Sequence, residues 1–333
     1  MKKFLVIQTA FIGDVVLSTA VLEKLRHCFP EAEISILVRK GNESLFNSHP
    51  FLHEILVWNK KENKLKNLFS LLKLIRKNKY DKVINLQRYL NTGILTAFSG
   101  AGETIGFDKN PLSFLFSKKV AHIFDKNNVR HEVERNNDLI AHFTNHDFTK
   151  PKLYPSPADY EKIKSLQQQT YLTMTPSSVW FTKQYPADKW VELIRSIDVV
   201  ETIYLLGGKD NFTECDAISK KSGRKNVFVL AGSLSFLQSA ALMEKAVMNF
   251  VNDSAPLHFT SARNAPVTAI FCSTAPVLGY TPLSDHSYIV ETKENLSCRP
   301  CGFHGHKACP LGHFKCALTI NNEQLLEPLY ANR

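Results

Sequence analysis

Glycine is scarce where a nucleotide-binding loop would need it. The opening strand–loop–helix pattern at residues 4–26 carries a single Gly13-Asp14 pair and no GxGxxG loop. A carboxylate beside a helix N-terminus repels pyrophosphate, so a dinucleotide cradle is excluded there. No apolar run approaches the roughly 20 residues that span a bilayer as a helix, which excludes an integral helical membrane protein. Low-complexity tracts and short repeats are also missing, so neither a solenoid nor a disordered chain is expected. Neither a basic recognition helix nor an aromatic platform interleaved with arginines is found, so nucleic acid is not the expected partner. Acidic residues are themselves in deficit, 31 against 41 Lys and Arg, and the resulting net charge of +10 favours anionic partners.

What is present reads as two α/β halves. At 333 residues the chain exceeds the size at which one hydrophobic core stops growing. Residues 4–7 form a continuous apolar run, as a strand buried on both faces requires, and apolar residues then recur at helical spacing from Val15. Further strands are expected at 33–38, 55–58 and 81–86, separated by helical patterns, which implies parallel strands and right-handed crossovers. Met1-Lys2-Lys3 before an apolar run imitates a signal peptide, but Gln8 and Asp14 interrupt that run, and the chain is expected to be cytoplasmic. Residues 60–79 form a strongly basic amphipathic helix, either a solvated face or a surface for the inner leaflet of the inner membrane. The pattern at 131–142 is helical, its polar residues expected on the surface. Three prolines within 149–157 resist helix and central strand alike, placing a boundary there.

The second half restarts the pattern. Strands are expected at 171–175, 202–206, 226–230, 247–251 and 267–271, with Ser235 capping a helix that runs to Lys245. Residues 1–155 and 156–333 are thus expected to form two Rossmann-like domains whose parallel sheets face across a cleft, the last helix packing back on the first domain.

In open α/β sheets ligands bind at the carboxyl ends of strands. Asp14 stands at one such end, as a helix cap or as a chemical group. Gln87 and Arg88 follow the strand at 81–86, where a cation can face a ligand. Asp253, Ser254, Ala255 and His258 follow a buried strand and open a helix whose first amides and dipole suit a phosphate. Lys183, in the loop at 176–186, is placed to neutralise the same anion.

The stretches 11–20, 85–87, 182–186 and 252–258, in this order and at these separations, resemble the ADP-heptose:lipopolysaccharide heptosyltransferases, and the segment from Cys298 to Cys316 resembles the tail of the heptosyltransferase II subgroup. The resemblance implies a GT-B fold and an inverting glycosyl transfer without a covalent intermediate. An acceptor would be held mainly by residues 1–155, and the nucleotide-activated heptose mainly by 156–333. It assigns Asp14 as catalytic base, Lys183 as phosphate ligand, and Asp253, Ser254 and Ala255 as the donor-binding turn, with His258 in the same stretch expected as a further donor contact. Gln87 and Arg88 are taken as acceptor contacts. The implied partners are ADP-heptose and the anionic lipopolysaccharide core, with no cofactor required. The family usually has glycine where Ala255 stands, and Pro256 removes an amide beside it, so the sugar is less firmly implied than the transfer.

Three other readings stay open. A GT-B chain can use another nucleotide sugar, or epimerise one, forming product from donor alone. The cysteines at 298, 301, 309 and 316 offer soft ligands for a structural zinc, but only the first pair has zinc-knuckle spacing, so zinc is the lesser expectation. A zinc-stabilised nucleic-acid-binding protein is the third.

Overall fold

The computed structural model describes residues 1–125, 127–198 and 201–331. Its chain divides into two compact units, Met1–Tyr154 and Pro155–Arg333. The first contains β1 (Lys3–Ile7), α1 (Ile12–Cys28), β2 (Glu33–Arg39), β3 (Leu52–Trp58), α2 (Lys64–Asn78), β4 (Lys82–Asn85), α3 (Leu90–Ala97), β5 (Glu103–Phe107), β6 (Lys118–Val120) and α4 (Glu132–Asp138). Every pairing in its sheet is parallel, in the order β3-β2-β1-β4-β5-β6. β1 and β4 are flanked on both sides and covered on both faces. That is why their sequences are apolar runs and do not alternate.

The second unit contains α5 (Pro157–Ile163), β7 (Tyr171–Thr175), α6 (Ala187–Ser196), β8 (Thr202–Leu205), α7 (Phe212–Ser222), β9 (Val227–Val229), α8 (Phe236–Glu244), β10 (Met248–Asn252), α9 (Ala255–Arg263), β11 (Val267–Phe271), β12 (Ser287–Glu291), α10 (Lys315–Leu318) and α11 (Asn322–Ala331). Its sheet, also wholly parallel, runs β12-β11-β10-β7-β8-β9. Renumbered within its unit, this is the first unit's order again, the 3-2-1-4-5-6 arrangement of a doubly wound sheet. Strand order reverses between β1 and β4 in one unit and between β7 and β10 in the other.

Ser235 caps α8 as its sequence suggests: its hydroxyl accepts from the Gln238 amide at 3.1 Å, and the Gln238 side chain accepts from the Ser235 amide at 3.0 Å. The last helix contributes Leu325 and Leu329 to the second unit's own core, beside Trp190 and Tyr185. Strands β5, β6 and β12 were not expected from sequence. Strands β6 and β12 lie at sheet edges, and β5 contains Gly106, where a Cβ would come 2.5 Å from the Phe116 ring.

One expectation fails at α4. Its polar residues are not on the surface: Glu132, Arg135, Asn136 and Asn137 are buried. Glu132 accepts from the Arg135 guanidinium at 2.9 Å, so two charges leave water as a pair and the surrounding protein receives little net charge. Such compensation leaves no trace in hydrophobic periodicity.

Candidate active site

Each unit's point of strand reversal gathers candidate residues. In the first, the short loop after β1 leads into α1. Phe11 holds the N-cap position and no side chain caps it, so Asp14 stands in the first turn at the third helical residue. The cap position that Asp14 would need for the simplest capping role is therefore occupied by another residue. A carboxylate in the first turn is stabilised by the helix dipole wherever it points.

Two cations, Arg39 and Lys60, stand beside that turn at the ends of neighbouring strands, and a third, Arg88, follows β4. Arg39 closes β2, its guanidinium 4.8 Å from the centre of the Phe11 ring; burial lowers its pKa and Asp14 opposes that shift. Lys60, just past β3, donates to the carbonyl of Thr9 at 2.8 Å and to its hydroxyl at 3.0 Å. Burial, with Arg39 and Lys64 nearby, brings its pKa down to about 8. Arg88, after β4, is exposed, and its charge reaches both Glu132 and His122. The buried Glu132 carboxyl is held above its ordinary range by desolvation, Arg135 opposing and Asp14 adding to the rise.

Gln87 has a different environment from its neighbour. Its side-chain amide donates to Gln8 Oε1 at 2.5 Å, its backbone amide to Asn85 Oδ1 at 2.9 Å, and its carbonyl accepts from Asn110 at 3.1 Å. It ties the loop after β1 to the loop after β4. Sequence reasoning missed Arg39, Lys60, Gln8 and the Glu132–Arg135 pair. The first two carried a usable signal, since both stand at carboxyl ends of expected strands.

In the second unit, β10 ends in Asn252. Its Oδ1 accepts from the Tyr185 amide at 3.0 Å, and its Nδ2 donates to the Pro176 carbonyl at 2.5 Å. This side chain clasps both ends of the 176–186 loop. The loop in turn presents Lys183, whose Nζ lies 2.7 Å from Asp253 Oδ2. Asp253 also accepts from the Thr274 hydroxyl at 2.6 Å and is 5% exposed. The two charges that the sequence assigns to separate parts of a donor are thus partners in the unliganded chain. Ser254 holds the N-cap position of α9 without capping it, its hydroxyl donating instead to the Asn252 carbonyl at 3.3 Å. Ala255 opens the helix, Pro256 lacks an amide, and His258 is buried in the same first turn. Few first-turn amides remain to meet an anion, so Lys183 is the principal positive group at this edge.

Two matching sheet reversals, one lined by an acid among cations and the other by a lysine–aspartate pair at a helix start, narrow the fold family. A model of glycosyltransferase family 9 (heptosyltransferase) matches residues 68–312, which spans most of both units. The chain belongs to glycosyltransferase family 9. It is a glycosyltransferase of the heptosyltransferase family. Lipopolysaccharide heptosyltransferase 3 of Escherichia coli is 26% identical over 281 residues, covering 79% of this chain and 82% of that protein. The structure of E. coli ADP-heptose LPS heptosyltransferase II superposes with a TM-score of 0.80 at 19% identity, over 100% of this chain and 98% of the other. The glycosyltransferase family 9 structure from Veillonella parvula gives 0.85 at 20% identity, over 99% and 97%. The two sheets are accordingly those of a GT-B fold. The described residues hold no helix long and apolar enough to cross a membrane.

Proposed function

We propose that this family 9 glycosyltransferase moves a heptose from ADP-heptose to the lipopolysaccharide inner core, inverting the anomeric centre. The observation that carries the reading is the placement of Asp14 beside Arg39 and Lys60 at one strand reversal, Arg88 following the adjoining strand β4, with Lys183, Asp253 and the start of α9 at the equivalent reversal of the other unit. An acceptor hydroxyl attacks the anomeric carbon and its proton passes to the Asp14 carboxylate. The bond from that carbon to the β-phosphate oxygen breaks, and its electron pair leaves with ADP. Arg39, Lys60 and Arg88 suit an acceptor bearing phosphate or carboxylate groups, with Gln87 fixing the loop beside them.

On the donor side, Lys183 meets the charge that grows on the leaving diphosphate, a stabilisation stronger in the transition state than before it. Its exchange of Asp253 for phosphate frees that carboxylate to accept hydrogen bonds from sugar hydroxyls. Ser254, Ala255 and His258 shape the remainder of the donor turn. No cofactor takes part in these steps.

The working location is the cytoplasm, at the inner face of the inner membrane. Helix α2 buries Leu68, Leu71 and Ile75 but leaves Leu65 and Phe69 exposed among Lys64, Lys66, Lys73, Arg76 and Lys77. Such a face meets acidic head groups. Flotation with anionic vesicles should exceed that with neutral ones; equal recovery contradicts the membrane contact. For the reaction itself, purified protein is incubated with ADP-heptose, with and without a lipopolysaccharide-core acceptor. Heptosylated product and ADP only when acceptor is present support transfer. A converted nucleotide sugar formed from donor alone would establish epimerisation instead.

A further inference from the structure

The cysteine-rich segment forms one cluster that the transfer reaction does not use. Cys298, Cys301, Cys309 and Cys316 line a single small cavity of about 20 Å³ with His313, Phe314 and Leu311. That volume admits one water-sized body. All four thiols are free, and the segment that carries them has little regular structure before the short helix α10. As they stand, no three His, Cys, Asp or Glu side chains among the described residues are gathered tightly enough to hold an ion. The thiols surround the space without closing on it.

The backbone shapes the turns that carry the thiols. Two turns have glycine where the backbone is left-handed, Gly302 at φ +76° and Gly312 at φ +72°, and no atom lies near enough to demand glycine for space. The conformation itself requires it. Each glycine follows a cysteine, Cys301 directly and Cys309 by three residues. His313 Nδ1 accepts from the Lys315 amide at 3.1 Å, so the neutral ring carries its hydrogen on Nε2, which lies 4.0 Å from Cys298 Sγ. That nitrogen is a donor toward sulfur and has no lone pair for a metal. Four cysteines around one cavity of this size are the ligand set of a tetrahedral structural zinc site.

From this geometry we infer that Cys298, Cys301, Cys309 and Cys316 bind one zinc ion as a tetrahedral four-thiolate site, which the chain closes around the metal. Four-cysteine coordination without an open position marks a structural site, and zinc would cross-link a segment with few apolar anchors of its own.

The segment's position gives the ion a second consequence, which rests on the donor reading above. Between the cysteine pairs, the chain runs along the turn that presents Lys183. The His306 amide donates to Thr182 Oγ1 at 2.7 Å, the Thr182 amide to the His306 carbonyl at 3.1 Å, and a Cβ on Gly305 would fall 3.0 Å from Lys183 Cγ. The Cys301 amide donates to the Ser273 carbonyl at 2.7 Å, next to the threonine that holds Asp253. A metal that fixes this segment therefore fixes the lysine–aspartate pair.

The test uses the full chain purified under reducing conditions without added metal. Elemental analysis should find about one zinc per chain, and exchange with Co(II) should give the absorption of tetrahedral thiolate coordination. Cys309→Ser should lose both, whereas Cys28→Ser, outside the cluster, should retain them. If Cys309→Ser fails to fold, the wild-type zinc content and the number of thiols protected from a thiol reagent, about four more with metal than after chelation, decide the matter. Wild-type protein without zinc, its four thiols reactive or joined as disulfides, overturns the inference. Chelation should also weaken ADP-heptose binding roughly tenfold. A zinc-loaded chain that ignores ADP-heptose overturns the donor reading and leaves the metal site standing.

Discussion

The two units repeat one strand order and use it with opposite electrostatics. At the β1/β4 reversal, Arg39, Lys60 and Arg88 outnumber Asp14, and the loop is held by uncharged amides from Gln8, Gln87 and Asn110. At the β7/β10 reversal, Lys183 and Asp253 cancel, and that loop is held by Asn252 and Thr182. In the proposed reaction the surplus positive charge of the first edge serves an anionic acceptor. The second pairs its lysine with a carboxylate, which a donor phosphate would replace in the proposed reaction. Fold alone therefore assigns neither role; side chains at equivalent strand ends do.

Removing the acid should have the largest effect. Asp14→Asn is expected to lower kcat by about 10²- to 10⁴-fold, the usual range for a general base, measured with saturating ADP-heptose and acceptor. Turnover close to wild type would break the assignment of chemistry to the first edge. Next, Lys183→Met strands a buried carboxylate, so it should destabilise the second unit by about 3 kcal/mol in denaturant titration. The double variant Lys183→Met with Asp253→Asn should recover most of that stability, and its failure to do so would show that the pair is not the source. Arg88→Ala, in contrast, removes an exposed charge: the KM for acceptor should rise about fivefold, near 1 kcal/mol, with no change in melting temperature. A matching rise in the KM for donor would blur the comparison.

The smallest effect concerns pH. Lys60, with Arg39 and Lys64 as its charged neighbours, titrates in the folded chain near 8, below the ordinary lysine value of 10.5. Between those values the unfolded chain binds the extra proton, so Lys60 makes stability rise with pH across this window. Acceptor affinity should fall over the same interval, a few-fold, because the lysine loses its charge. Lys60→Met should flatten both trends, and an unchanged acceptor profile in that variant would remove Lys60 from recognition.

Much of this arrangement was readable from residue order. The central strands β1, β4, β7 and β10 declare themselves because burial on both faces demands continuous apolar runs, and Asp14, Arg88, Lys183 and Asp253 then fall at their ends. Edge strands such as β6, Lys-Lys-Val, carry no such demand and were invisible. Pairings between distant positions were hidden for another reason. Lys183–Asp253 and Gln8–Gln87 depend on parallel strands coming side by side, which periodicity along one strand does not encode. The burial of Glu132 and Arg135 was misread because each charge alone looks like surface, and only their contact at the α1–α4 packing makes the interior tolerable. The four cysteines were countable, but their convergence on one cavity requires the folded loop.

The division of labour between the two reversals is tested most directly by titrating ADP-heptose calorimetrically onto Asp14→Asn and Lys183→Met side by side. Wild-type affinity in Asp14→Asn and a loss of at least tenfold in Lys183→Met is the predicted result. Equal losses in both variants, or loss in Asp14→Asn alone, would contradict it.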